Sequence, residues 1–577
     1  MFLPTTHQEL DRLGWDQLDV ILVTGDSYID SPFIGTAVIG KVLNDAGYRV
    51  GVIAQPDIHS EKDICRLGEP GLFWGVTGGS VDSMIANYTS LKKRRKSDDY
   101  TPGGINNRRP DRATIVYTNL IRQYFKSTKP IVLGGIEASL RRIAHYDFWS
   151  DRVRSSILFD AKADYLLYGM AEKSIIQFAN ALRAGADVRN NCGLCYIASE
   201  GDVTEEKADY LELPPYETVE RDKSSFIDMF HTFYQNNDPL TAKGLYQKHG
   251  TRYLVHNPPT MRLTKEELDA VYALDFERAQ HPYYEQQGKA KALETIKFSI
   301  LTHRGCYGEC NFCAITVHEG RTVQWRSPES ILDEARQLTQ YPDFKGYIMD
   351  IGGPTANMYG FECEKKLRQG TCREKRCLYP EVCPSLKADH HHQLELLTKI
   401  RRVKGIQKVF VASGIRYDLL LSDKEYGEQY LQEVVEHHVS GQMKVAPEHT
   451  EKGVLKQMGK PGAELLLQFK ELFDRMTREV GKEQFLTYYL IAAHPGCTEE
   501  DMQSLKRFTS QRLKTNPEQV QIFVPAPSTY SSLMYYTETD PFSGKPVFVE
   551  KDPKNKENQK DIVTQKQVSS RFQNKQI

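Results

Sequence analysis

The sequence predicts an α/β protein: an amino-terminal flavodoxin-like, doubly wound domain followed by a partial (β/α)6 barrel. Short apolar runs alternate with amphipathic helical patterns from about residue 18 to 182, and the alternation returns over about 250 residues from 296 onward. A length of 577 residues also exceeds what one hydrophobic core serves. The expected boundaries are 1–194 for the doubly wound domain, 195–290 for a connector, 291–545 for the barrel with a cysteine-rich insertion at 360–388, and 546–577 for a disordered tail.

Leu18 to Val23 reads as a first strand, and Ser31-Pro32 as a helix start, because proline in a first turn loses no needed hydrogen bond. Ile34, Val38 and Val42 form one helical stripe that ends at Gly47, and Tyr48 to Ala54 is the next strand. Further strands are expected at Leu72–Val76, Ile131–Leu133 and Tyr165–Tyr168, with helices at Thr114–Phe125 and Glu172–Leu182 between and after them. In 195–290 the periodicity is weak apart from a helix at Thr264–Tyr272. Six barrel strands follow at Ile296–Leu301, Tyr347–Ile351, Val409–Ala412, Met443–Ala446, Thr487–Ala492 and Val520–Val524. Leu465, Leu466, Phe469, Leu472, Phe473 and Met476 carry the clearest helical stripe. Regular alternation implies parallel strands with right-handed crossovers. From Lys551 onward the chain is charged and poor in large apolar residues, which predicts disorder.

A net charge of −1 gives no global attraction to nucleic acid or an anionic membrane. The start, MFLPTTHQELDRLGWDQLD, has no charged segment leading into a long apolar one, and no run of about 18 apolar residues occurs. A soluble, cytoplasmic protein with no membrane partner is expected. Eight of the eleven cysteines lie between Cys306 and Cys497, which in an intracellular chain points to metal or cluster ligation before disulfides.

Cys306, Cys310 and Cys313 follow the first barrel strand at C-x3-C-x2-C spacing, in a loop that belongs to the carboxyl face where barrel active sites gather. Three thiolates so spaced can hold three corners of a 4Fe-4S cluster and leave one iron open. The bland alternatives are buried thiols that only pack, or a zinc knuckle completed by His303 or His318. Three cysteines within eight residues of one loop weigh against both.

This triad, with Phe312 before its last cysteine, resembles the radical S-adenosylmethionine (SAM) superfamily signature. The segments RGCYGECNFCAITVHEGRTVQWRSPESILDEA, VHNPPTMRLTKEELDAVYAL and LGGIEASLRRIAHYDFWSD resemble the YgiQ-type radical SAM proteins over about residues 15–545. The resemblance implies an amino-terminal domain similar to cobalamin-binding domains and a radical SAM core. It implies an enzyme whose cluster, fed by an electron donor such as flavodoxin or ferredoxin, cleaves SAM to a 5'-deoxyadenosyl radical. It implies no substrate, which is left between RNA and a small molecule, and it names no catalytic side chain.

By the same resemblance, the turn Asp350-Ile351-Gly352-Gly353-Pro354 offers backbone to the SAM amino group through Gly352 and Gly353, and Ser413 and Arg416 bind its ribose and carboxylate. Glu448, His449 and His494-Pro495-Gly496 are expected on the same face. Cobalamin is not expected, because the D-x-H-x-x-G motif is missing; the nearest match, Asp57-Ile58-His59, follows the second strand and has Lys62 where glycine belongs.

Cys363, Cys372, Cys377 and Cys383 form a second group that can close a zinc site or hold an auxiliary iron-sulfur cluster; free thiols are the alternative. The run Lys92-Lys93-Arg94-Arg95-Lys96 reads as a solvated face before an RNA contact, and Cys192 with Cys195 as packing before a redox pair. Gly25, Gly78-Gly79 and Gly134-Gly135 read as turns, or as the rim of a crevice at the switch point. Two other classes of function compete with the enzyme: a zinc-binding or RNA-binding scaffold without radical chemistry, and a thiol redox sensor.

Overall fold

The computed structural model describes residues 1–207, 209–518 and 520–564, and one nine-stranded sheet organises its amino-terminal half. Five parallel strands, β1 (Val20–Thr24), β2 (Val50–Ala54), β3 (Phe73–Thr77), β4 (Ile131–Gly134) and β5 (Tyr165–Leu167), lie in the order β2-β1-β3-β4-β5. The order reverses between β1 and β3, and ligand crevices of doubly wound sheets open at such a switch point. β1 and β2 are buried along their whole length, as strands covered on both faces must be. Val20 and Leu22 pack into one layer with the helices Gly35–Asp45 and Glu172–Arg183. Ile21 and Val23 pack into the other with Ala113–Tyr124.

The expected connector at 195–290 is largely a continuation of this sheet. β6 (Leu194–Ala198) pairs antiparallel with β5, followed outward by β9 (Arg252–His256), β8 (Leu245–His249) and β7 (Leu211–Leu213). Sequences such as LYQKH and RYLVH hide the strand period, because their Tyr, His, Lys and Arg side chains dilute the apolar alternation that marks a strand. The helix expected near Thr264 runs over Lys265–Tyr272, with Thr264 and Glu267 exchanging hydrogen bonds in a capping box.

In the carboxyl-terminal half six parallel strands follow one another in chain order. They are β10 (Ile300–Leu301), a second strand in two pieces β11 (Tyr347–Ile348) and β12 (Ile351–Gly352), then β13 (Lys408–Val409), β14 (Gln442–Glu448), β15 (Phe485–Ala492) and β16 (Gln521–Ile522). An Ile415–Val445 bridge joins the third segment to β14, and no ladder joins β16 back to β10 among the described residues. The first strand is shorter than expected, since Leu293–Ile296 is a helical turn. Helix Ala463–Glu479 turns Leu466, Phe469, Phe473 and Met476 into the core outside the strands.

The expected disordered tail needs correction at Pro553–Thr564, which is a helix; residues 565–577 lie outside those described. Its buried members are Lys556, Gln559 and Val563. Gln559 accepts a hydrogen bond from Ala493 N at 2.9 Å and donates to Cys497 O at 3.2 Å, while Lys556 Nζ donates to the Tyr535 hydroxyl at 2.7 Å. The buried stripe is mostly polar, so hydropathy alone conceals it; its polar ends satisfy backbone and hydroxyl groups beyond β15.

Candidate active site

The loop after β10 turns back as a hairpin, His303–Arg304 pairing with Gln324–Trp325, and presents Cys306, Cys310 and Cys313 inside that turn. Gly308 N donates to Cys306 Sγ at 3.3 Å. A Cβ at Gly308 would stand 3.0 Å from Arg416 Nη1, 3.2 Å from Cys306 Sγ and 3.8 Å from Cys310 Sγ, so the bare Cα fits between two sulfurs and a guanidinium. Arg416 Nη1 lies 3.6 Å from Cys310 Sγ, and Arg416 Nε donates to Asp418 Oδ1 at 2.8 Å. Burial raises the Asp418 carboxyl, but the guanidinium beside it outweighs burial and holds the pKa below the usual range. Burial first, and neighbouring thiols second, push Cys306 and Cys313 up from the ordinary thiol value.

The loop is anchored at Asn311 and Phe312, between its second and third cysteines. Asn311 N donates to Met458 O at 2.9 Å, Asn311 Nδ2 donates to Gln457 O at 2.8 Å, and Asn311 O accepts from Ser531 N at 2.9 Å. Phe312 meets the ring of His494 edge-on at 6.2 Å. Among the described residues no three His, Cys, Asp or Glu side chains gather tightly enough to hold a single metal ion.

Gly352 and Gly353 sit beside this loop. A Cβ on Gly353 would come within 2.6 Å of both His303 Nε2 and His303 O, whereas one on Gly352 would make ordinary contacts from 3.4 Å outward. Gly353 is therefore the sterically committed glycine of the pair. Ser413 Oγ donates to Asp350 Oδ2 at 2.5 Å, and Asp350 Oδ1 also accepts from Ala412 N at 2.8 Å, which fixes the turn after β13. Glu448 is buried close enough to Arg416 to feel its charge; burial raises its pKa and Lys460 and Arg416 partly oppose that. His449 Nε2 lies 3.6 Å from Cys497 Sγ, and burial lowers its pKa to about 4.

A cavity of about 500 Å3 lies between the carboxyl ends of β1, β3, β4 and β5 and the mouth of the barrel. Leu22, Phe33, Val76 and Leu133 line it from the sheet, and Leu301, His303, Gly352, Gly353 and Ser413 from the barrel. The glycines Gly79, Gly134 and Gly135, weak signals in the sequence, are part of its rim. Sequence reasoning also missed its polar members. Glu172 and Arg304 form a buried ion pair across the two halves, and Arg304 Nε donates to the Tyr272 hydroxyl at 2.8 Å. His318 Nδ1 and Glu172 Oε2 are buried without hydrogen-bond partners. Only the start of the helix after β5 hinted at Glu172; the pairing across 132 residues had no local signal. Cys306, Cys310, Cys313 and Arg416 are not among the lining residues.

Asp57 and His59 are exposed and stand apart from the cavity. Lys92 to Lys96 are exposed, with Arg94 held by Asp111 at 3.3 Å and Lys93 by Glu557 at 3.4 Å. Cys195 is buried in β6, its pKa pushed up to about 12 by burial, and Cys192 is exposed. None of the eleven cysteines is in a disulfide. No helix among the described residues is long and apolar enough to cross a membrane.

Residues 2–299 match the family model described as Radical SAM N-terminal. A UPF0313 protein of Fusobacterium nucleatum is 56% identical over 566 residues, 98% of this chain and 99% of the relative. A UPF0313 protein of Thermotoga maritima is 48% identical over 98% of each chain. Among solved structures, the radical SAM methyltransferase TsrM from Kitasatospora setae, with cobalamin and a [4Fe-4S] cluster bound, aligns with a TM-score of 0.48 at 15% identity, over 89% of this chain and 77% of its own. With near-complete coverage at such identity, the chain belongs to the UPF0313, or YgiQ-type, family of radical SAM proteins.

Proposed function

We propose that this radical SAM protein is an enzyme in which Cys306, Cys310 and Cys313 hold a 4Fe-4S cluster with one open iron, and that it acts on a small molecule bound in the interdomain cavity. When bound, that cluster would supply the electron that cleaves SAM to a 5'-deoxyadenosyl radical. The observation that carries the reading is the triad loop itself: Gly308 has no room for a side chain between the Cys306 and Cys310 sulfurs and the buried Arg416 that faces them, and Cys313 stands on the same loop. The C-x3-C-x2-C spacing offers three thiolates on one loop, one short of the four ligands of a structural zinc site. Arg416 also places a positive charge beside Cys310.

In this reading the main chain at Gly352 and Gly353 receives the amino group of SAM, and Ser413, oriented by Asp350, and Arg416 serve its ribose and carboxylate. The cavity reaches Gly352, Gly353 and Ser413 and has an apolar body with Glu172, His318 and Glu319 at one end. That shape favours a compact ligand with an apolar frame over an RNA strand. The scaffold alternative leans on the Lys92 run, whose members have local partners. An electron donor of the flavodoxin or ferredoxin kind completes the reaction.

Protein purified without oxygen should be brown and release 5'-deoxyadenosine from SAM after dithionite reduction, and Cys306→Ser, Cys310→Ser and Cys313→Ser should each abolish the release. Undiminished release in any one variant, or a colourless wild-type protein that takes up zinc and no iron, overturns the reading.

A further inference from the structure

The cysteine-rich insertion leaves the barrel after β12 and returns to it at the helix His391–Arg401. Its four cysteines are separated by eight, four and five residues, a spacing that does not say whether they meet. In the fold they do: Cys363, Cys372, Cys377 and Cys383 line one cavity of about 90 Å3. Cys363 rests on an apolar floor with Tyr307, Met358, Phe361 and Leu386, and Cys383 N donates to Cys377 O at 2.8 Å, closing the loop that carries both. Thr371 N donates to Asp238 Oδ2 at 3.1 Å and ties the Cys372 side to the body of the protein.

The surroundings are cationic. Lys366, only 3% exposed, puts Nζ 3.9 Å from Cys377 Sγ, held there by Glu362 and by Arg321 O, each at 2.8 Å. Arg321 and Arg376 also line the cavity, and its one carboxylate, Glu309, is paired with Arg321 at 3.2 Å. Lys366 and Arg321 have carboxylate partners in Glu362 and Glu309, while Lys365, Lys375 and Arg376 add further positive charge to the lining. An anionic centre would be matched by this excess.

We propose that Cys363, Cys372, Cys377 and Cys383 hold a second iron-sulfur cluster, of the 4Fe-4S kind and ligated by all four thiolates. The open space among the four residues favours a cluster over a single zinc ion. One zinc ion needs its sulfurs drawn in to about 2.3 Å from a common centre, with no room left between them. Here the four residues line about 90 Å3 of open space, which one ion would leave unfilled. A core of several irons and sulfides fills such a space, and complete ligation distinguishes this centre from the triad, which lacks a fourth thiol. Glu309, between Cys306 and Cys310, forms part of the cavity wall, and Arg376 Nη1 donates to Glu309 O at 3.0 Å. One layer of residues thus separates the two cysteine groups.

The full-length chain with Cys306, Cys310 and Cys313 all changed to Ala isolates this site from the proposed SAM chemistry. After anaerobic reconstitution with ferrous iron and sulfide it should retain roughly four iron and four acid-labile sulfide per chain, about half the wild-type content, and give a reduced-cluster paramagnetic resonance signal. The converse variant, with Cys363, Cys372, Cys377 and Cys383 changed to Ala, should lose that half and keep the other. Since Cys372 is exposed, Cys372→Ser spares the core; it should leave circular dichroism unchanged while shifting the resonance signal and speeding loss of iron to a chelator. One zinc per chain with no iron, or no metal at all in the triad variant, overturns the proposal even if wild-type protein cleaves SAM.

Discussion

The two halves of the molecule use parallel strands in opposite ways. In the amino-terminal sheet neighbouring residues of β1 serve different cores, so the strand has no spare face. In the barrel β15 alternates: Leu486, Tyr488, Leu490 and Ala492 are buried, whereas Phe485 and Tyr489 between them are 56% and 41% exposed. Tyr347 and Met349 show the same exposure on the second strand. A sheet buried on both sides is a platform. A sheet with one uncovered face keeps a row of side chains free of packing, and the large cavity draws its lining from both halves.

Acid tests both halves at once and should have the largest effect. Burial lowers His145 and His494 to about 3 and His318 and His449 to about 4, so each is neutral in the fold. The unfolded chain binds these protons below about pH 6.5 and the native chain does not, so stability present above that pH is lost as pH falls toward the native values. At up to about 1.4 kcal/mol per pH unit for each group, the unfolding free energy measured in urea should drop by several kcal/mol between pH 7 and 5. A flat profile would break the picture of neutral buried histidines. Next comes the link between the halves: Arg304→Met leaves Glu172 buried and uncompensated and should cost about 3–5 kcal/mol, with much of the loss recovered when Glu172→Met is added.

The comparison itself is sharpened by alanine substitution along two strands. Ile21→Ala and Leu22→Ala, neighbours on β1, should each cost about 2–5 kcal/mol, because both faces are packed. On β15, Leu490→Ala should cost as much, while Tyr489→Ala stays within about 1 kcal/mol. A severe Tyr489→Ala defect would mean that the inner barrel face is packed after all. A smaller contrast lies in the turn after β12: Gly353→Ala should cost about 1–3 kcal/mol through its clash with His303, and Gly352→Ala about 0.5 kcal/mol or less, read by thermal melting.

Legibility in the sequence followed the range of the interactions. The triad loop was visible because its three cysteines lie within eight residues, and the helix near Thr264 because its signal is equally local. The strand order around β1 followed from alternation and connection rules, but β7 to β9 did not, since their polar side chains carry no period and their pairing is set by the neighbouring strand. The helix at Pro553–Thr564 escaped because it docks through Lys556 and Gln559, which composition counts as solvent-seeking. Within the site, Gly352 and Gly353 were indistinguishable until His303 was seen against the second of them. The fit of Gly308 against Arg416 joins residues 108 positions apart, which no local pattern encodes.

The Glu172–Arg304 pair also joins the two walls of the large cavity. The two walls belong to different halves of the chain, and swinging them apart would strip a buried guanidinium from its carboxylate. The pair therefore couples the two halves: a motion that widens the cavity has to break it first.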